Sequence, residues 1–276
     1  MTEQNEIWSI PLLLTASVDT RGMEGALFTS LEREKMYAET LNYYISLISK
    51  YGCKGGIVFA ENSGWNLDVF SRQNILKNEN IEVEYISLDP SLFDQSKGKS
   101  YNELLMIDLT LKISKLINKS GYFIKLTGRF PILNIDAIMM EYFRRGGKEI
   151  EFFGDSHDHK IYDWLKMPIN GHSAESRIWL SSLSFYKDNI EGQYKNLNDY
   201  DGRNVESFLL SIIRKYKSSP YLIGRFRIQP HFTGKGGHNL GNGPAFFYST
   251  NNDSLALTIK RSIRQLLRWI TPWLWI

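Results

Sequence analysis

Ser96-Lys-Gly-Lys-Ser-Tyr-Asn-Glu103 opens a long apolar-striped segment that runs into Gly121-Tyr-Phe-Ile-Lys-Leu-Thr-Gly-Arg-Phe130. Between the two pieces the spacing predicts a helix over 102–118. Leu105, Ile107, Leu109, Leu111, Ile113, Leu116 and Ile117 fall on more than one of its faces, as in a largely buried element. The short apolar run 122–126 then reads as a buried strand. A loop, a buried helix and a buried strand in that order form the unit from which parallel sheets are built.

The same unit extends outward in both directions. Residues 10–18, 56–60, 81–88 and 150–153 are further short apolar runs, and 31–50 separates the first two with Leu41, Tyr44, Ile45 and Ile48 on one helical face. The predicted class is α/β, a Rossmann-type, mainly parallel sheet flanked by helices. In such sheets ligands lie outside the carboxyl ends of the strands. That selects the loops 15–22, 61–64, 89–101 and 127–130. Beyond residue 155 the pattern turns polar and aromatic, through Trp164, His172, Trp179, Tyr186, Tyr194 and Tyr200, which suits either a second-substrate face or ordinary aromatic packing. A further helix is predicted over 205–216, with Val205, Phe208, Leu209 and Ile212 on one stripe.

At 276 residues with 42% hydrophobic content, the chain can bury a full core. Its 33 basic residues nearly balance 30 acidic ones, so a nucleic-acid partner is not expected. Cys53 is the sole cysteine, which excludes an internal disulfide and fits a reducing compartment. In Tyr51-Gly-Cys-Lys-Gly-Gly56 it reads as an incidental thiol at a strand entry. Met1-Thr-Glu-Gln-Asn-Glu6 lacks the basic-then-apolar layout of a signal peptide, and a cytoplasmic location is expected.

The tail, 251–276, is set apart as a membrane-associating segment. Leu255, Ile259, Ile263, Leu266, Leu267 and Ile270 make an apolar helical face, while Lys260, Arg261, Arg264 and Arg268 make a basic one. Trp269, Trp273 and Trp275 suit the water–lipid boundary. The cations recur too often for an uninterrupted apolar span of ~20 residues. A helix lying on the anionic inner face of a membrane is therefore expected.

Candidate site residues follow from the loops. Lys97 and Lys99 precede a helix, where anions are favoured. Lys125 and Thr127 share a strand face, and Arg129 offers a planar fork for phosphate oxygens. Thr15, Ser17 and Asp19 end the first strand. Glu61, Asn62 and Ser63 follow the second, either binding a base or ribose or forming an Asx or cap turn. Glu206 opens the 205–216 helix and is the first candidate for a general base; Asp155 is the second. Asp155, Ser156, His157, Asp158 and His159 place two Asp and two His within five residues, but no distant ligand at metal spacing accompanies them, and no metal site is assigned. The glycine-rich stretch 225–243, with Arg225, Arg227, His231 and Lys235, reads as a mobile basic loop and lacks the Walker pattern.

Leu12-Leu-Leu-Thr-Ala-Ser-Val-Asp-Thr20, Ile57-Val-Phe-Ala-Glu-Asn-Ser-Gly64, Lys97-Gly-Lys-Ser-Tyr-Asn-Glu103, Phe123-Ile-Lys-Leu-Thr-Gly-Arg-Phe130, Glu175-Ser-Arg-Ile-Trp179 and Asp199-Tyr-Asp-Gly-Arg-Asn-Val-Glu206 resemble, in this order, a family of bacterial capsule and O-antigen glycosyltransferases. The resemblance spans about residues 8–240. It implies a GT-A-like domain over 1–250, with a donor half at 8–155 and an acceptor half at 156–250. It further implies transfer of a sugar from a nucleotide-sugar to a lipid-linked oligosaccharide in lipopolysaccharide or capsule synthesis. Glu175, Arg177 and His231 are assigned to the acceptor side. The chain departs from the family's Lys-Gly-x-Gly-Tyr-Gly-Glu loop by two glycines, and it carries Lys125 and Arg129 where many GT-A enzymes hold a metal through Asp-x-Asp. Charge on the departing nucleotide must be stabilised as it develops. The expectation is that these cations do so without a metal or other cofactor. The same features also suit a sugar-phosphate transferase, and the tail alone a non-catalytic membrane scaffold.

Overall fold

A computed structural model describes residues 7–20, 26–68, 70, 75–158, 163–166, 171–235, 247–248 and 255–270. Strand β1, Leu12–Ala16, is buried along its whole length, and helix α1, Ser30–Lys50, follows it. A reciprocal capping box between Thr29 and Glu32 starts α1 and satisfies two backbone donors that would otherwise have no partner. Next come β2, Gly55–Glu61, and β3, Ile81–Ser87. Helix α2, Gly98–Ile113, and the short α3, Lys115–Ser120, replace the single helix expected over 102–118. The break has a local cause. The Ser114 hydroxyl leaves the helical path to accept from the Ile117 N–H at 3.2 Å and donate to Glu84 Oε2 at 2.6 Å.

Further elements are β4, Tyr122–Thr127; α4, Ile135–Arg144; β5, Phe152–Phe153; β6, Ser156–Asp158; β7, His172–Ala174; β8, Ile178–Ser182; α5, Leu183–Asn189; α6, Val205–Lys215; β9, Leu222–Ile223; and α7, Leu255–Ile270. The central sheet has the order β3-β2-β1-β4-β8-β5-β9. Its first four strands are mutually parallel; β8 runs antiparallel to both β4 and β5, and β9 is parallel to β5. The class is thus mixed α/β with a mainly parallel sheet, as the apolar runs predict. Strands β8 and β9 of this sheet are absent from that prediction, β8 being the longer. Strand β8 lies in the aromatic stretch after residue 155, yet all five of its residues are buried.

Strand alternation divides the core in two. Leu12, Leu14, Ile57, Phe59, Ile124 and Leu126 face a layer containing α1 and α4 residues; Leu13, Val58 and Phe123 face one containing residues of α2, α5 and α6. Lys125 shares the second face with Phe123, and that is why a charged side chain enters the core.

Helix α7 is docked in an unexpected orientation. Its polar stripe faces the domain: Gln265 donates to Arg227 O at 2.6 Å, and Arg268 donates to Asp155 Oδ2 at 2.8 Å and to Phe226 O at 3.0 Å. Arg268 is only 3% exposed, which corrects its placement on an outward basic face. Ile259, Ile263, Leu266, Trp269 and Ile270 point to solvent instead, Trp269 with 64% of its surface exposed. Arg264 is exposed, the side chains of Lys260 and Arg261 are not described, and Trp273 and Trp275 lie outside the described residues. Among the described residues no helix is long and apolar enough to cross a membrane.

Candidate active site

A cavity of about 710 Å³ opens at the carboxyl ends of β1, β2 and β4, where the topology places a ligand. Thr15, Ser17, Asp19, Asn62, Ser63, Lys99, Thr127, Arg129, Glu175, Arg177 and Glu206 all line it. Eleven positions scattered over the chain thus converge on one space.

The loops after β1 and β2 are tied together by Glu61. Its buried carboxylate accepts the backbone N–H groups of Val18 at 3.1 Å, Ser63 at 2.9 Å and Trp65 at 3.0 Å, together with the Ser63 hydroxyl. Glu61 therefore shapes the wall without lining it. Ser17 donates to Asn62 Oδ1 at 2.5 Å, and the Asp19 N–H donates to the Ser63 hydroxyl at 2.9 Å. The Arg33 Nε, reaching from the first turn of α1, donates to Ser17 O at 2.8 Å.

On the β4 side, the backbone turns at Gly128, where an added Cβ would stand 2.9 Å from Thr15 O. Only glycine fits there, and the turn delivers Arg129 to the cavity wall. Its Nε and Nη1 are buried and have no hydrogen-bond partner among the described residues. Burial pushes this guanidinium below its ordinary pKa, with Arg33 adding like-charge repulsion. A buried fork with open donors is matched by an anion such as a diphosphate.

Lys125 behaves differently from expectation. Its side chain is 1% exposed and does not line the cavity. The ammonium lies 2.6 Å from Glu103 Oε1 and donates to Ser176 O at 2.7 Å and to the Thr127 hydroxyl at 3.1 Å. It reaches the cavity only indirectly, through the lining residues Glu103, Ser176 and Thr127, and the Glu103 carboxylate also accepts from the Thr15 hydroxyl at 3.2 Å.

At the far wall Lys99 stands 3.5 Å from Glu206, which also accepts the Ser176 hydroxyl at 2.8 Å. Burial alone would raise the Glu206 pKa; Lys99 and the Ser176 hydroxyl outweigh it and hold the carboxyl below its ordinary value. The start of α2 that carries Lys99 depends on Gly98, at φ +82, packed on the Asp199 carboxylate. Beside it, Arg177 pairs with Glu175, donating from Nε at 2.6 Å, and lays its guanidinium 3.8 Å from the Phe232 ring centroid.

Three further candidates are placed elsewhere. Lys97 sits in the turn before α2, off the cavity. Asp155 is committed to Arg268 and to the Phe226 N–H at 3.2 Å, although its backbone carbonyl holds the Glu175 N–H at 2.8 Å and so supports the wall. His231 lines a second crevice of about 370 Å³ with Gln265, Leu266 and Trp269. Of the Asp–His run, His157 lines the main cavity, Asp158 pairs with Arg214 and His172, and His159 lies outside the described residues. Arg33, Glu103 and Ser176 are among the lining residues that the sequence did not single out. Arg33 looks like any solvated first-turn cation. Glu103 stands in a quoted motif, but its significance depends on a lysine 22 positions away by number.

No protein-family model matches the chain, and no curated protein matches it. Among solved structures, it is similar to mouse xyloside xylosyltransferase 1 in its apo form, at 12% identity and a TM-score of 0.41, covering 78% of this chain and 84% of that one. It is also similar to core-mannan synthase A from Aspergillus fumigatus in an Mn/GDP form, at 10% identity and a TM-score of 0.47, covering 94% and 84%. Likeness at this level carries no argument about activity, which has to come from the cavity's own chemistry.

Proposed function

We propose that the chain is a GT-A-like glycosyltransferase that moves a sugar from a nucleotide-sugar onto a lipid-linked glycan in capsule, O-antigen or lipopolysaccharide synthesis. The observation that carries this reading is the buried Arg129 fork, with Nε and Nη1 unpartnered on the wall of a cavity at the strand ends. The loops of Thr15–Asp19 and Asn62–Ser63 supply hydroxyl, amide and carboxylate groups for the nucleoside end, and Arg129 with Arg33 the cations for the diphosphate.

For an inverting transfer, Glu206 accepts the proton of the acceptor hydroxyl as the new C1–O bond forms. The bond from C1 to the diphosphate breaks, and its electron pair leaves on the nucleotide beside Arg129. Glu175 and Arg177 line the acceptor wall. The outward apolar row of α7 brings the domain to the lipid surface that carries the acceptor, on the cytoplasmic side.

Metal independence belongs to this proposal. The residues in and just after β4 do not fit a divalent cation: Lys125 and Arg129 are cationic, the facing Glu103 of α2 is held by Lys125, and among the described residues no three His, Cys, Asp or Glu side chains converge as ligands. The test is product identity on incubation with nucleotide-sugars in EDTA. Nucleoside diphosphate with transferred or free sugar is expected; nucleoside monophosphate would make the protein a sugar-phosphate transferase, and no nucleotide chemistry under any condition would leave a scaffold.

A further inference from the structure

Lys125 and Glu103 form a charged pair whose two halves differ in access. Lys125 is closed off, while the Glu103 side chain keeps 14% exposure and lines the cavity. Only its Oε1 is engaged, by the Lys125 ammonium at 2.6 Å and the Thr15 hydroxyl at 3.2 Å. Oε2 receives no hydrogen bond among the described residues. The carboxylate lines the same cavity as Arg129 and as Lys99, the partner of Glu206, which lies one turn earlier on α2. Between a diphosphate-binding arginine and a proton-accepting glutamate lies the group being transferred.

We infer that Glu103 is the specificity-determining contact for the transferred sugar, taking its hydroxyl groups on Oε2 and selecting neutral sugars against uronates. The inference rests on the glycosyltransferase reading. Lys125 anchors the carboxylate by fixing Oε1, so the free oxygen is a pre-positioned, negatively charged acceptor for ring hydroxyls. A uronate carboxylate brought to the same oxygen meets like charge. Lys125 is thus a positioning residue, and the lysine standing where a metal motif is customary serves sugar recognition instead of phosphate binding.

The test compares the affinity of each intact nucleotide-sugar with that of its own nucleoside diphosphate, by calorimetric titration in EDTA with UDP, GDP, UDP-glucose, UDP-glucuronate and GDP-mannose. Glu103→Gln alone leaves a buried ammonium unpaired, so the decisive variant is the double substitution Glu103→Gln with Lys125→Met, which removes both charges together. Carboxylate–hydroxyl bonds are each worth roughly tenfold or more in affinity. The expected result is that the variant binds the nucleoside diphosphate as the wild type does and loses about tenfold of the preference for the neutral sugar form, while discrimination against the uronate falls. An unchanged ratio between sugar form and diphosphate would overturn the assignment. Equal loss for both ligands would overturn it too, by making the pair a structural support. Wild-type protein that binds no nucleotide would instead remove the glycosyltransferase reading on which the inference stands.

Discussion

At the scale of single residues, cation count proved a poor guide and cation surroundings a good one. Lys97, Lys99, Lys125 and Arg129 look alike in a string of letters. In space one is off the cavity, one is paired with Glu206, one is buried against Glu103 and one has open donors. Strand alternation could place Lys125 on a face, but not tell that α2 presents a carboxylate there. The Lys99–Glu206 pair leads to a pH prediction. Glu206 is held below the ordinary glutamate value of 4.5, so in the proposed role of base it is ionised at neutral pH, and activity is expected to be lost only as pH falls through that lowered value. Lys99→Met removes an attraction that favours the ionised form. The acid limb of kcat/KM is expected to move to higher pH in this variant, and a superimposable profile would show that Lys99 does not set the base.

At the scale of elements, the strands that carry the ligand end were all legible, because parallel strands buried on both faces read as apolar runs whatever surrounds them. What escaped were the two-residue β9 and, more consequentially, β8, whose Trp179, Ser181 and Ser182 look polar and aromatic although each is buried between β4 and β5. Its burial comes from tertiary neighbours, and local pattern has no access to those. The split of the long helix at Ser114 escaped for a related reason: Glu84, its partner, belongs to a distant strand. Ser114→Ala removes the α3 cap and the bond to Glu84, with an expected cost of about 1–2 kcal/mol. The urea midpoint should fall at constant m, and nucleotide affinity should stay unchanged because α3 precedes β4 at the end of the sheet away from the cavity.

At the scale of the whole molecule, the amphipathic tail was legible as a helix, but its direction was not. An apolar face would ordinarily turn inward, yet Arg268 finds Asp155 and Gln265 finds the 227–229 backbone, so the polar stripe docks and the apolar row is left outside. Removing the tail would therefore strip a buried carboxylate of its partner as well as any membrane contact. Point substitutions separate the two. Ile263→Asp is expected to leave the unfolding midpoint in place and weaken binding to anionic vesicles by about tenfold or more, the equivalent of one buried aliphatic side chain. Arg268→Ala is expected to cost about 3–5 kcal/mol of stability by leaving Asp155 uncompensated. Unchanged vesicle binding in Ile263→Asp would contradict the surface assigned to α7. The central claim, a diphosphate seated on the open donors of Arg129 without a metal, is tested most directly by titrating UDP- and GDP-sugars into wild-type and Arg129→Met protein in EDTA. Binding by the wild type and a loss of about tenfold or more in the variant are expected, as for a charge-assisted hydrogen bond; equal affinities, or binding that appears only after manganese is added, would contradict a metal-free diphosphate seat on Arg129.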